Sequence, residues 1–408
     1  MVAESQYLQV QFIGHALSTT PELKVSVEGM SDWGKYLGDK EDANDIQTRL
    51  DVVRSVLLQL LEAKEIDHTN TTLKIFALPE FFWRGIKGAY HYDVKKEDRI
   101  YQKITSELIN MVDQLKQKYN LDDWLFLFGS ILTTHDITDS VTKEDKTLAK
   151  LGNDYLGVYN ILDPVSNSHI RELFANVVKI ADKKKRSNSD KEKYLSALLT
   201  DLLDLSDALA KKMVYNRCFV YYAGNSYAIQ KEHKSKEDFI LNNPSATEDH
   251  VDYYLQTMVN YPSIDAKINP VDTLPLSNIK CKNLKVGVEI CLDHRRKRLA
   301  DYLKEGKIEA VDIQIVISCG MQLHDDAVAT KDRGVLFNCD GEYELKGEAV
   351  NGDHCHTQLK TYHASKKPSL SDYMSVKKII PVDMKTKSKY FPHGLGSIHV
   401  YLPIGTPS

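Results

Sequence analysis

The chain has 408 residues, 42% apolar and 27% charged, with 53 Lys and Arg against 57 Asp and Glu for a formal charge of −4. That composition excludes a largely disordered chain, and the charge balance argues against a dedicated nucleic-acid or membrane-surface binder. With 20 glycines and 12 prolines, collagen-like and linker-dominated sequences are excluded too.

The start, Met1–Ser5, has no basic segment followed by an apolar core, so a cleaved secretory signal is not expected. No apolar run reaches the roughly 18 residues that span a bilayer. Tyr7–Ile13 alternates like a strand, while Leu50, Val53, Leu57, Leu58 and Leu61 space a helix over Asp45–Ala63. Leu73–Leu78 predicts a short buried strand, Arg99–Lys118 a helix and Trp124–Leu132 a strand. The polar residues 135–153 look inserted, after which Tyr155–Leu162 reads as a strand stopped by Asp163-Pro164. A second insertion is expected over about 181–260, with the basic run Lys183–Arg186 and a leucine-periodic helix around Leu195–Leu205. Cys218–Ile229, Leu284–Ile290 and Asp312–Ser318 predict further strands, and Arg295–Lys304 a helix. Interleaved strands and helices predict an α/β protein. With no repeat and no sharp boundary, a single domain over 1–408 is expected. Six cysteines (218, 281, 291, 319, 339 and 355) are too scattered for a disulfide framework, which predicts a reducing, cytoplasmic setting with free thiols.

Two strand ends carry residues suited to chemistry. In LKIFALPEFFWRG (73–85) a strand runs into Pro79 and Glu80, with Phe81, Phe82 and Trp83 following. Apolar surroundings raise a carboxylate's pKa toward the range of a general acid or base; pairing with Arg84 is the structural alternative. In LKVGVEICLDHRR (284–296) an alternating strand delivers Cys291 to its end, ahead of a basic stretch. A thiol at a strand's carboxyl end lies where α/β active sites form, and nearby cations favour its thiolate. A buried structural cysteine is the alternative.

Together the two segments resemble the nitrilase, or carbon-nitrogen hydrolase, superfamily, whose hallmark is a Glu-Lys-Cys catalytic set. Tyr159-Asn160-Ile161-Leu162-Asp163-Pro164 is similar to the strand that precedes the family's lysine, and the next strand-like run ends in Lys179. Lys211 and Lys212 are rivals in a helical context. Arg333–Asn338 is similar to a family helix of the Arg-Ala-x-Glu-Asn kind, and Gly394–Ser397 to a late glycine-serine turn. Departures are the missing Pro-Glu after Asp293, the long spacings and the lack of an alignable second glutamate, Glu192 being the nearest.

The resemblance implies a four-layer α-β-β-α sandwich with insertions, pairing through helix faces into a homodimer. It implies attack by Cys291 on a small-molecule amide or nitrile, with Glu80 as general base, Lys179 and the Leu292 backbone N–H holding the oxyanion, and no metal or organic cofactor. Phe81, Phe82 and Trp83 are candidate pocket residues. Amide hydrolysis is the first reading; nitrile hydrolysis, deamidation of a protein side chain and a catalytically silent binding member are the alternatives. A metal site at Asp353–His356 is disfavoured because neighbouring strand residues alternate faces and no CxxC pair is present. No nucleic-acid or membrane partner is expected.

Overall fold

The computed structural model describes residues 6–20, 22–24, 33–92, 99–136, 212–233, 253–255, 279–342, 356–364, 368–382, 390–391 and 393–407. The first half runs β1 (Gln9–Ala16), β2 (Glu22–Lys24), β3 (Trp33–Lys35), α1 (Asp42–Leu61), β4 (Thr72–Ala77), β5 (Tyr90–His91), α2 (Arg99–Lys116) and β6 (Trp124–Asp136). There follow β7 (Lys212–Tyr222), β8 (Asn225–Gln230), β9 (Tyr253–Leu255), β10 (Ile279–Cys281), β11 (Leu284–Ile290), and the short helices α3 (Leu292–Arg295) and α4 (Arg298–Lys304). The chain closes with β12 (Val311–Ser318), β13 (Thr330–Asp340), β14 (Thr357–His363), β15 (Ser369–Leu370), β16 (Lys378–Pro381), β17 (Ser397–Val400) and β18 (Ile404–Gly405).

These strands build a ten-stranded sheet with the central order β16-β17-β1-β4-β6-β7-β8 and a six-stranded sheet with the order β10-β11-β12-β13-β14-β15. Both are mixed. Phe12, Ile75 and Leu127 of the first sheet share a core with Val288, Ile315 and Phe337 of the second, and the Phe12 and Phe337 rings lie 5.2 Å apart. On the first sheet's other face, α1 buries Ile46, Leu50, Val53 and Leu57, and α2 buries Ile104, Leu108 and Met111. The three-to-four spacing of these residues makes each helix one-sided, and each buried aliphatic contributes about 1.5–3 kcal/mol.

The expected four-layer α-β-β-α sandwich is overturned: the described residues are mostly β. Among the described residues only two long helices form, both against the ten-stranded sheet, while α3 and α4 have four and seven residues. The physical reason lies in the second sheet's outward-facing side chains. Glu289, Gln314 and Asn338 are buried and polar, and they satisfy themselves on short helices and loops where a helical layer would demand an apolar face. Likewise Arg333–Asn338, similar in sequence to a helix, lies within β13, where Val335, Phe337 and Cys339 alternate into the core. Cys218–Ile229 is two strands, because Ala223 and Gly224 take positive φ and turn the chain.

Tyr155–Leu162, Lys179, Lys183–Arg186, Glu192, the leucine-periodic helix, Lys211 and Asp353–Cys355 lie outside the described residues, as does most of 135–153. Within the stretch read as inserted, 212–230 form β7 and β8 of the main sheet. Among the described residues no helix is long and apolar enough to cross a membrane.

Candidate active site

Parallel pairing of β1, β4 and β6 brings the carboxyl ends of β4 and β6 to one edge of the first sheet. Two antiparallel steps, β6 to β7 and β7 to β8, return β8 to the direction of β6 and carry its end to the same edge. In the second sheet β11 and β12 are parallel. The end of β12 joins the two sheets: Cys291 donates its N–H to the Ile317 carbonyl at 2.9 Å, and Glu80 donates its N–H to the Ser318 carbonyl at 3.3 Å.

The Glu80 loop is shaped by a bulge in β6. Gly129 has φ +70°, and a Cβ there would stand 2.6 Å from the Pro79 carbonyl oxygen, so only glycine lets the strand pass beneath the loop. The register shift at this glycine aims the Ser130 hydroxyl at the Phe81 N–H, 2.8 Å away. The Thr19 hydroxyl donates to the Glu80 carbonyl at 2.7 Å. Phe81 has φ 64° and Cys291 φ 45°, both left-handed. Such a conformation costs a non-glycine residue about 1–3 kcal/mol, and the surrounding hydrogen bonds hold it. Strain at both candidate residues' turns marks this edge of the fold.

The Glu80 carboxylate is fully buried. Its Oε1 accepts from Lys231 Nζ at 3.0 Å and from Asn216 Nδ2 at 2.9 Å. Lys231 is equally buried, directly follows β8, and donates its backbone N–H to the Asn216 carbonyl. A fully buried ion pair is stable only where hydrogen bonds replace hydration, as Asn216 does in part. The Cys291 thiol approaches the Cys319 carbonyl at 3.9 Å. Burial pushes that thiol well above its ordinary value; the Glu80 charge pushes it further up, and the Lys231 ammonium draws it down. The net upward shift keeps the sulfur a protonated thiol within electrostatic reach of Glu80 and Lys231.

Behind this trio lies a second buried network. Asp293, fully buried, accepts the backbone N–H groups of Glu232 and His233, at 3.1 and 2.8 Å, and faces His233 Nδ1 at 2.9 Å. Arg298 reaches Glu232 at 3.1 Å, the Val288 carbonyl at 2.6 Å and Asp293 at 3.6 Å. His294 Nε2 accepts the His324 backbone N–H, so its Nδ1 carries the proton directed at Glu289, 2.8 Å away. Burial disfavours the Glu289 charge, yet hydrogen bonds from His294 and Leu299 with the Arg298 charge bring its pKa net below the usual value.

Of the residues singled out by sequence, Glu80 and Cys291 both hydrogen-bond to the end of β12 and interact electrostatically, with Leu292 opening α3 directly after the thiol. Phe81 borders an open cavity, whereas Phe82 and Trp83 are core residues, the Trp83 indole donating to the Phe128 carbonyl at 2.7 Å. The lysine beside Glu80 is Lys231, which sequence reasoning missed. Its signal was the one that favoured Lys179: a lysine placed just past a strand's end. Among the described residues no three His, Cys, Asp or Glu side chains group as a metal would require. No known family's model matches the chain, and no curated protein is significantly similar to it in sequence.

Proposed function

We propose that the protein hydrolyses a non-peptide carbon–nitrogen bond of the amide type through a Cys291 acyl-enzyme, as a relative of the nitrilase superfamily in chemistry, with Lys231 in the role first given to Lys179. The observation that carries this reading is the sealed Glu80–Lys231 pair acting on the Cys291 thiol. Glu80 takes the thiol proton as sulfur bonds to the amide carbon, and the carbonyl's electron pair moves onto its oxygen. Lys231 and the Leu292 N–H hold that oxyanion, each well-placed donor being worth about 3–4 kcal/mol. Collapse of the intermediate breaks the carbon–nitrogen bond, and Glu80 returns the proton to the departing ammonia or amine. Water then attacks the thioester with Glu80 as base, releasing the acid and the thiol. Splitting one hard displacement into two is the gain from covalent catalysis.

The test is ammonia release from small amides, carbamoyl compounds and nitriles by the wild type, Cys291→Ala and Lys231→Met. Release from amides that both substitutions abolish supports the reading. Release from nitriles alone moves it to nitrile hydrolysis, and release that survives Cys291→Ala refutes it.

A further inference from the structure

We infer that Asn216 is a positioning residue for the base: its side-chain amide holds the Glu80 carboxylate in place while Lys231 serves the substrate's oxygen. The inference rests on the proposed hydrolase reading for the part Glu80 plays, and on the geometry alone for the contact.

Sheet register makes that contact. Arg217 of β7 pairs with Gln230 of β8, and one step further Lys231 donates its backbone N–H to the Asn216 carbonyl at 2.9 Å, so Asn216 and Lys231 stand opposite each other. On its other side Asn216 pairs with Leu132 of β6, two residues beyond Ser130. Opposite residues point to the same face of a sheet, as do residues two apart along a strand. Ser130, Asn216 and Lys231 therefore share one face, from β6, from β7 and from just past β8, and all three are fully buried. Each grips the same loop: the Ser130 hydroxyl accepts the Phe81 N–H, and the other two donate to Glu80.

Asn216 Nδ2, at 2.9 Å, and Lys231 Nζ, at 3.0 Å, reach the same carboxylate oxygen, Oε1. The last torsion of a glutamate is broad by itself. Two donors converging on one atom restrict it and decide which oxygen faces the β7–β8 hairpin. Their charges then separate their tasks. Lys231 is a cation that the proposed reaction shares with the oxyanion: once Glu80 takes the thiol proton, its pull on the ammonium weakens as the substrate's oxygen gains charge. Asn216 is neutral and bonds to the oxygen of a carboxylate or of a carboxylic acid, so it keeps Glu80 in register while the charge moves. Before that step its N–H favours the ionised carboxylate over the acid, against the burial that favours the acid.

The experiment has a kinetic arm and a substrate-free arm, each with Asn216→Ala and Asn216→Asp. Ala removes the donor and the shape; Asp keeps the shape, removes the donor and places a second carboxyl beside the first. In the kinetic arm, kcat/KM is followed against pH on the amide of the ammonia-release panel that the wild type turns over fastest. Its acid limb reports the base of the free enzyme. The limb should move up by about one pH unit in Ala and further in Asp, because two adjacent carboxyls resist a second charge, with the loss in kcat and KM nearly unchanged. In the second arm, Cys291→Ala protein labelled with ¹³C at the glutamate carboxyls is titrated by NMR, the Glu80 signal being assigned by its loss in Glu80→Gln. The midpoint should rise in the same order. A residue that only fills space would leave Asp like the wild type in both arms, and that result overturns the inference while the hydrolase reading stands; Asp also covers an Ala variant that fails to fold. A midpoint that rises in the stated order, in a protein that hydrolyses no amide, keeps the hold on Glu80 and removes the reaction.

Discussion

Asp293 grips His233 twice, accepting its backbone N–H at 2.8 Å and its ring Nδ1 at 2.9 Å, and so ties the turn after Cys291 to the segment that leaves Lys231. The thiol and the ammonium come from different sheets, and this buried carboxylate spans the two. Asp293→Ala strands Arg298 with one fewer anion and leaves two backbone donors unmet. Removing one member of a buried charged network costs about 3–5 kcal/mol. Urea unfolding reads the cost, and a midpoint equal to wild type would show that the clamp carries no load.

The thiol's titration provides a test with opposite signs. Glu80 raises the Cys291 pKa and Lys231 lowers it. Glu80→Gln should therefore speed alkylation of Cys291 by iodoacetamide at pH 8, and Lys231→Met should slow it, each several-fold. Peptide mass spectrometry assigns the site. Shifts in the same direction for both would mean that one of them does not act on this sulfur.

Two thiols lie close together, and their roles separate by substitution. Cys319 offers its carbonyl to Cys291, while burial and the charges of Asp340 and Glu80 keep its own thiol protonated. Cys291→Ala should abolish turnover, and Cys319→Ala should retain more than a tenth of it. A dead Cys319→Ala with active Cys291→Ala would move the nucleophile to Cys319.

Stability should fall in mild acid because of His15. Burial pushes this imidazole down to about 4; its Nε2 bond to the Leu395 carbonyl, at 2.6 Å, works the other way, and His399 adds to the depression. Above pH 6.5 both the folded and unfolded forms hold it neutral, so its contribution is undiminished. Below that, the unfolded chain takes a proton that the fold resists, and stability is lost progressively to about 3 kcal/mol by pH 4. His15→Gln keeps a donor for Leu395 and removes the titration, so its melting temperature should drop less between pH 7 and 4.5. Parallel curves for the two proteins would remove His15 as the cause.

Gly129→Ala tests the bulge beneath Glu80. A Cβ at 2.6 Å from the Pro79 carbonyl must displace the backbone that carries the carboxylate. The left-handed φ alone costs about 1–2 kcal/mol, so a loss of at least 2 kcal/mol is expected by thermal melting, with Glu80 turned off its partners and turnover lost. Unchanged melting and turnover would mean that the loop accommodates the methyl group.

The features legible in consecutive residues are local ones. Alternation over 284–290 and the apolar run over 73–78 place Cys291 and Glu80 just past strand ends, because period-two burial and its termination are written in consecutive residues. The spacing of Leu50, Val53 and Leu57 does the same for α1. Which lysine joins them is not local: many lysines follow apolar runs, and only the pairing of β6 with β7 and β7 with β8, across residues far apart in the chain, brings Lys231 to the edge that holds Glu80. The layer architecture was decided in the same way. Glu289 and Gln314 read as ordinary polar positions in strands and Asn338 as the end of a helix-like segment, and only the folded sheet shows them bonded to short helices and loops on its outer face, where a helical layer was expected.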